Sequence, residues 1–364
     1  MVALLKNEYD IIIIGSGPAG ASAAYFSKFF DNNSKKVLTI ESLDERHYTR
    51  YHHMCGEVVS RYIKDDFPDI QIEDFVVNKI DKVIESWANE VKIYSTLKGY
   101  VLNRPKFFLN ILRRYQKQGG NFFQDRFIDF QEKKGKINIQ LKNKGVLKTK
   151  YLIFATGPKK LKNSFFNFDG DTFSTLLYQI LVRNYPLEKN CVEFYYDERY
   201  KDNYKWIFPY GNHVKIGVPY ENKDELKDYE KYKIIRKDVK QVYCGILNTY
   251  AINNILFIGD AAFQNNPLTK GGIRAAINAG KIAAESLVKY DDPQRYDKMW
   301  KKSGFFAEPY LLASKKLSVM KNEEIIYHSK PLKYFPISIP WIFLKYKKYL
   351  SLYKIYYLSE KFGW

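Results

Sequence analysis

The sequence predicts a mixed α/β protein: a Rossmann-like dinucleotide-binding domain with an inserted antiparallel sheet, followed by a helical C-terminal segment. Three observations carry this. Residues 11–14 are an apolar run leading into Gly15-Ser16-Gly17-Pro18-Ala19-Gly20 and then Ala21-Ser22-Ala23-Ala24, which reads as buried strand, glycine turn and helix start. A second apolar run, Val37-Leu38-Thr39-Ile40, ends in Glu41. A third, Ile255-Leu256-Phe257-Ile258, reaches Gly259-Asp260 only after a long β-rich interval, so the nucleotide domain is read as discontinuous.

In the glycine turn, Gly15 lets the chain reverse sharply, Gly17 lets backbone N–H groups approach a pyrophosphate, and Gly20 lets the helix sit close to the strand. The helix start, with Ala19, offers the anion a partial positive charge. Glu41 stands at the distance where an acid takes ribose hydroxyls. Residues 51–63 read as a loop passing into a short helix and 91–97 as a strand, while 105–118 read as a helix opened by Pro105 and stopped by Gly119-Gly120. Residues 122–147 read as strands around Gly135 and Gly145, leading to the buried strand Tyr151-Leu152-Ile153-Phe154 and Ala155-Thr156-Gly157. From Phe165 to about Val242, short β runs (191–196, 206–209, 214–218) alternate with charged turns. A helix is expected over 274–288, and the chain from Asp291 onward reads as helical, aromatic and basic. The boundaries are placed at 1–160 (nucleotide domain, first part), 161–250 (antiparallel substrate domain), 251–290 (nucleotide domain, second part) and 291–364 (helical region).

With 364 residues, 46% of them apolar, the chain can build a sizeable core. Three scattered cysteines (Cys55, Cys191, Cys244) form neither a disulfide framework nor a zinc pattern. Cys191 and Cys244 read as core, and His52, His53 and His213 receive no role, so no metal site is expected. Residues 1–8 hold too short an apolar stretch for a signal peptide, and no uncharged apolar run approaches the ~20 residues of a membrane span. These features read as cytoplasmic. The net charge of +19 is spread along the chain without a nucleic-acid motif, so a solvated surface or anionic lipid is preferred to nucleic acid. Phe343, Tyr346, Leu350, Tyr353 and Tyr357 repeat at helical spacing, flanked by Lys347, Lys354 and Lys361. This is an apolar stripe that either docks on the protein's own core or rests peripherally on the inner face of the membrane.

Several of these motifs coincide with a known pattern. The fingerprint with Glu41, Arg104 in Leu102-Asn103-Arg104-Pro105, Ala155-Thr156-Gly157 and Gly259-Asp260-Ala261-Ala262 resemble the FAD-dependent oxidoreductases of the glutathione-reductase and hydroxybenzoate-hydroxylase superfamily. Two further signatures are similar to the geranylgeranyl reductase family: Tyr204-Lys205-Trp206-Ile207-Phe208-Pro209, its YxWxFP motif, and Cys55-Gly56-Glu57, its cysteine-glycine motif. The match departs at Lys270, where a third glycine is common before Gly271-Gly272-Ile273. The resemblance implies a Rossmann-like FAD-binding domain with Gly15, Gly17, Ala19, Gly20, Glu41, Cys55, Gly56, Arg104, Ala155, Gly157, Asp260, Gly271, Gly272 and Ile273 around the cofactor. Only one nucleotide fingerprint is present and no redox cysteine pair, so the electron donor is left open among transient NAD(P)H, a ferredoxin and a deazaflavin.

In a strand, alternate residues share a face, so Tyr204, Trp206 and Phe208 would line one wall. Aromatic faces can hold an apolar chain and stabilise positive charge developing on carbon; alternatively the three are core aromatics of the sheet. Cys55 reads either as a proton donor beside the flavin or as a small buried hydrophobe. The resemblance implies reduction of carbon–carbon double bonds of geranylgeranyl or other isoprenoid chains in ether-lipid synthesis, with Cys55, Tyr204, Trp206 and Phe208 at the reacting end. Two rivals stand: a flavin monooxygenase or halogenase on the same scaffold, and a non-catalytic flavin- or lipid-binding protein.

Overall fold

The computed structural model describes residues 8–31, 34–133, 135–157 and 169–362. The N-terminal stretch read against a leader (up to residue 7) and the start of the β-rich interval at Phe165 lie outside them. In chain order the elements begin with β1 (Glu8–Ile14), α1 (Pro18–Phe29), β2 (Val37–Glu41), α2 (Glu45–His52), β3 (Val58–Ser60) and the single turn α3 (Ile63–Asp66). Then come β4 (Val76–Trp87), β5 (Val91–Leu102), α4 (Arg104–Lys117), β6 (Asn121–Gln124), β7 (Phe127–Lys133), β8 (Lys136–Leu141) and β9 (Gly145–Phe154). The next strands are β10 (Gly170–Arg183), β11 (Cys191–Tyr196), β12 (Lys205–Tyr210), β13 (His213–Pro219), β14 (Lys233–Leu247), β15 (Ala251–Ile252) and β16 (Ile255–Phe257). Helices α5 (Ile273–Val288), α6 (Pro293–Lys301), α7 (Glu308–Leu317), α8 (Asn322–Ser329), α9 (Ile339–Lys345) and α10 (Leu350–Phe362) close the chain.

The strands form two sheets. The first has parallel neighbours β16-β9-β1-β2-β6, extended by antiparallel β15 and the β7–β8 pair. Its centre is buried on both faces, as parallel strands covered by helices must be. Ile11, Ile12 and Ile13 are fully buried, each contributing roughly 1.5–3 kcal/mol of burial. Helix α1 crosses α5 at very short range, because a Cβ on Gly280 would stand 2.4 Å from Ala19 O and 2.7 Å from Ala23 N. The carboxyl ends of β1, β2 and β16 therefore deliver Gly15, Glu41 and the Gly259-Asp260 turn to one edge, where open α/β sheets bind ligands.

The second sheet runs β14-β10-β13-β12-β11-β4-β5-β3 and is antiparallel except where β4 meets β11. It corrects the boundary expected at residue 160. β3, β4 and β5, inside the range assigned to the nucleotide domain, belong to this sheet. Parallel pairing of β4 with β11, over a separation of about a hundred residues, is decided by tertiary contact and leaves no local mark.

The C-terminal stripe is also corrected. Tyr346, at φ −119° and ψ 26°, leaves helical geometry and separates α9 from α10. Tyr349 is held by Glu324 of α8 (3.3 Å) and Tyr353 by the His328 carbonyl (2.7 Å). Tyr353 is consequently buried, whereas Phe343 and Tyr357 are exposed. The five residues do not share one face. Helices α7, α8 and α10 instead pack Tyr310, Leu317, Ile325, Leu352 and Ile355 against Trp87, Val91 and Ile93 of the β4–β5 hairpin.

Candidate active site

Gly15 adopts φ +95°, and a Cβ there would meet Ala155 O at 2.4 Å; a Cβ on Gly20 would meet Gly15 O at 1.9 Å. Both glycines shape the turn from behind. Glu41 is tied to the same turn without lining the cavity: its Oε2 accepts from Ser16 N (2.9 Å) and Ser16 Oγ (2.8 Å), and its Oε1 from Leu43 N (2.9 Å). In front of the turn opens a cavity of about 620 Å³. Gly17, Ala19, Arg104, Ala155, Gly157 and Asp260 line its first part. The start of α5 adds Gly271, Gly272 and Ile273, and no side chain caps that helix, so its first amides are free to bind an anion.

Asn265, not singled out from sequence, positions Asp260: its Nδ2 donates to Asp260 Oδ1 (2.9 Å) and to Tyr243 O (2.8 Å). A Cβ on Gly272 would overlap Asn265 Oδ1 at 1.7 Å. Lys270 occupies the left-handed region at φ +54°, the conformation that a glycine would take without strain. Its ammonium is anchored to Asp202 Oδ2 at 2.7 Å, which offsets that cost.

The Cys55-Gly56-Glu57 loop lies against the second sheet. Gly56 rests on the Phe208 ring, where a Cβ would come within 2.9 Å. Cys55 lines the cavity and its sulfur accepts from Glu57 N at 3.3 Å. Glu57 holds φ +62° and is completely buried with Lys215, and the Lys215 ammonium also donates to Cys55 O at 2.7 Å. His53 Nδ1 approaches Glu57 Oε1 at 3.3 Å, and Arg104 N donates to the same oxygen at 3.2 Å. Burial pulls the Glu57 carboxyl upward, but Lys215, His53 and Arg104 outweigh it and hold the group below the usual carboxylate range. Glu57 and Lys215 are therefore the keystone of the loop.

The sheet face forms the far wall. One cross-strand row reads Asp238, Gln179, Gly217, Trp206, Phe194, Glu85, Ile93; all but Gly217 line the cavity. The Trp206 indole lies directly over Gly217, and its buried Nε1 has no hydrogen-bond partner in the protein. Tyr204 and Phe208 flank Trp206 on the same face, with ring centroids 6.0 and 6.4 Å away. The Tyr204 hydroxyl donates to Thr269 O, and burial raises its pKa.

Two further cavity residues escaped the sequence reading. Lys240 of β14 faces the site beside the Tyr51 ring (4.9 Å), its pKa lowered by burial and then by Arg104. His52 abuts Gly17, with its Nδ1 buried and unpartnered, and burial together with Arg104 keeps the ring neutral. Lys215, Lys240 and Glu85 share one signal that would have found them. Each is a charge at a core-facing position of a strand, where burial is costly unless it serves something.

These residues fit an anionic dinucleotide. Uncapped amides at two helix starts border the cavity with Lys240 and with Arg104, whose Nε and Nη2 donate to His52 O. Residues 9–198 match the sequence profile of the pyridine nucleotide-disulphide oxidoreductase family. The chain is 26% identical over 340 residues to a digeranylgeranylglycerophospholipid reductase of Methanococcus aeolicus, covering 83% of this chain and 84% of that one. It is 26% identical over 363 residues to the protein of the same name from Methanocaldococcus jannaschii, covering 88% and 90%. Among solved structures, a geranylgeranyl bacteriochlorophyll reductase-like protein from Thermoplasma acidophilum superposes with a TM-score of 0.76 at 22% identity, over 90% of this chain and 92% of that one. The myxobacterial chondrochloren halogenase shares the fold with a TM-score of 0.66 at 15% identity, over 89% of each chain.

Proposed function

This chain belongs to the pyridine nucleotide-disulphide oxidoreductase family and is a flavin-dependent oxidoreductase; from that premise we propose that it uses FAD to saturate carbon–carbon double bonds in isoprenoid chains of ether lipids. The supporting observation is the single cavity that joins the fingerprint turn to an aromatic wall and an apolar helical roof. The names of its relatives, reductases of a digeranylgeranyl glycerophospholipid, supply the substrate class.

On this reading the amides at Gly17 and Ala19, with Arg104, hold the pyrophosphate, and Glu41 offers the ribose the lone pairs that Ser16 and Leu43 leave free. Asp260, Gly271, Gly272 and Ile273 border the ribityl and ring end, with Ala155, Gly157 and Gly56 allowing close approach. When bound and reduced, FAD supplies the hydride to the alkene. Tyr204, Trp206 and Phe208 press the prenyl chain into place and stabilise positive charge developing on carbon. Cys55, which lines the cavity, is the better proton source; the Tyr204 hydroxyl is engaged with Thr269 O and made a weaker acid by burial.

The test is anaerobic: the protein is reduced, mixed with a geranylgeranyl lipid, and followed by flavin absorbance and product mass. Reoxidation with a mass gain of two hydrogens per bond is expected. No anaerobic reoxidation, but a hydroxylated or halogenated product once oxygen is admitted, would transfer the protein to the rival class. Trp206→Ala is expected to stay yellow but reduce alkenes at least about tenfold more slowly, as loss of ~1.4 kcal/mol in the transition state requires; unchanged turnover removes the indole from the mechanism.

Membrane contact belongs to the same proposal but moves from the stripe to residues 333–348. No helix among the described residues is long and apolar enough to cross a membrane. Tyr334, Ile337, Ile339, Trp341, Phe343 and Leu344 are nevertheless all exposed. Within 333–348 stand four lysines (333, 345, 347, 348) and no acid; although Lys348 pairs with Glu324, the excess of cations matches an anionic lipid surface. Lys333, Phe335 and Pro336 also line the cavity, so the patch borders a route for lipid. Wild-type protein is expected to sediment with phosphatidylglycerol vesicles, less so at high salt, and Trp341→Ser/Phe343→Ser to lose most of that binding. Equal binding by the variant, or concentration-dependent self-association through the patch instead, would overturn this assignment.

A further inference from the structure

The apolar half of the cavity is interrupted at one place. Glu85 projects from the same cross-strand row as Trp206, two strands away, and thus about 10 Å along the wall at the strand spacing of the sheet. Its Oε2 accepts from the Tyr356 hydroxyl at 3.2 Å. Trp87 and His328 pack beside it with ring centroids 5.0 Å apart. Both are almost fully buried, at 4% and 0% exposure, and both line the cavity. Yet His328 Nε2 has no hydrogen-bond partner in the protein, whereas the Trp87 indole N–H leans toward the Glu85 carboxyl without a well-formed hydrogen bond. An orphaned ring nitrogen beside a carboxyl and a poorly satisfied indole N–H, in otherwise apolar surroundings, is costly unless a ligand satisfies it.

We propose that Glu85, Trp87, His328 and Tyr356 form a binding site for an uncharged oxygen of the lipid, a hydroxyl or an ether, which sets how far the prenyl chain advances along the aromatic wall. This rests on the reading of the cavity as a lipid channel. The chemistry selects against phosphate, because the groups that face Glu85 are Tyr196, Tyr356 and Trp87, with the His328 ring behind them, and none of these brings a positive charge. Burial pushes the Glu85 carboxyl up to about 7 and the His328 imidazole down to about 4. Between about pH 4 and 7 the site thus holds a mostly neutral carboxyl that donates and a neutral imidazole that accepts. Above about 7 Glu85 ionises and its donor is lost.

The test compares three ligands by quenching of tryptophan fluorescence and by flavin reoxidation: geranylgeraniol, a geranylgeranyl glycerol ether, and the same chain ending in a methyl group. Wild type is expected to bind both oxygen-bearing ligands about tenfold more tightly than the hydrocarbon, as one good buried hydrogen bond requires, with the preference fading above pH 7. Glu85→Leu should erase the preference, while Glu85→Gln should keep it and remove the pH dependence. Tyr356→Phe supplies a second reading should Glu85→Leu fold poorly, and is expected to weaken the preference. Preference for the glycerol ether alone would identify the lipid backbone as the source of the oxygen, and preference for geranylgeraniol alone the free alcohol. Wild type that ignores the oxygen, or Glu85→Leu that still prefers it, overturns the site. If none of the ligands reoxidises the reduced protein, it is the reductase reading that fails.

Discussion

Replacing Lys215 by methionine is expected to destabilise the protein by about 3–5 kcal/mol, because it strands a buried carboxylate. Both side chains of the Lys215–Glu57 pair are fully shielded from solvent. The remaining contacts to Glu57, from His53 and from Arg104 N, do not replace an ammonium. The same change removes the donor that holds Cys55 O at 2.7 Å. Because Glu57 keeps a left-handed backbone at φ +62°, the loop has stored strain to release. Loss of stability should therefore come with loss of bound flavin and of prenyl reduction. Denaturant titration checks the first, visible absorbance the second. The double variant Lys215→Met/Glu57→Gln is expected to recover much of the stability, since an apolar group beside a neutral amide avoids the stranded charge. A single variant within about 1 kcal/mol of wild type would show that the pair is not the keystone. The pH dependence has a definite sign. The folded-state pKa of Glu57 is depressed, so its contribution is fully present above the ordinary carboxylate range. It is lost as pH falls below that range, through the folded-state value.

Gly20→Ala is expected to give colourless protein. The new Cβ would stand 1.9 Å from Gly15 O, 2.9 Å from Gly15 C and 3.1 Å from the Ala155 Cβ. The nearest obstacles are backbone, so α1 must withdraw from β1, and the amides of Gly17 and Ala19 withdraw with it. Overpacking of this kind costs roughly 1–3 kcal/mol in stability, and displaced amides forfeit the anion site altogether. Gly119→Ala is the matched control. Gly119 also has positive φ, at +82°, but a Cβ there meets nothing within 4 Å, so strain of about 1 kcal/mol and retained colour are expected. A yellow Gly20→Ala protein with full flavin content would remove the fingerprint from cofactor binding.

The amino-acid sequence determined the nucleotide half of this molecule almost unaided. Strand, glycine turn and helix are adjacent in the chain, and the close approaches at Gly15 and Gly20 are demanded by residues a few positions apart or by the next parallel strand. The alternation of Tyr204, Trp206 and Phe208 likewise follows from the period of a strand. What only the tertiary structure decided is everything that depends on distant pairing. Parallel β4–β11 pairing brings Glu85 into the row of Trp206, Lys215 reaches back to Glu57, Asn265 steers Asp260, and contacts with α8 break the C-terminal stripe into two helices. The reason is physical. Local periodicity reports which face of an element is buried, but a charge at a buried position acquires its meaning from the partner that neutralises it, and that partner is chosen by the fold.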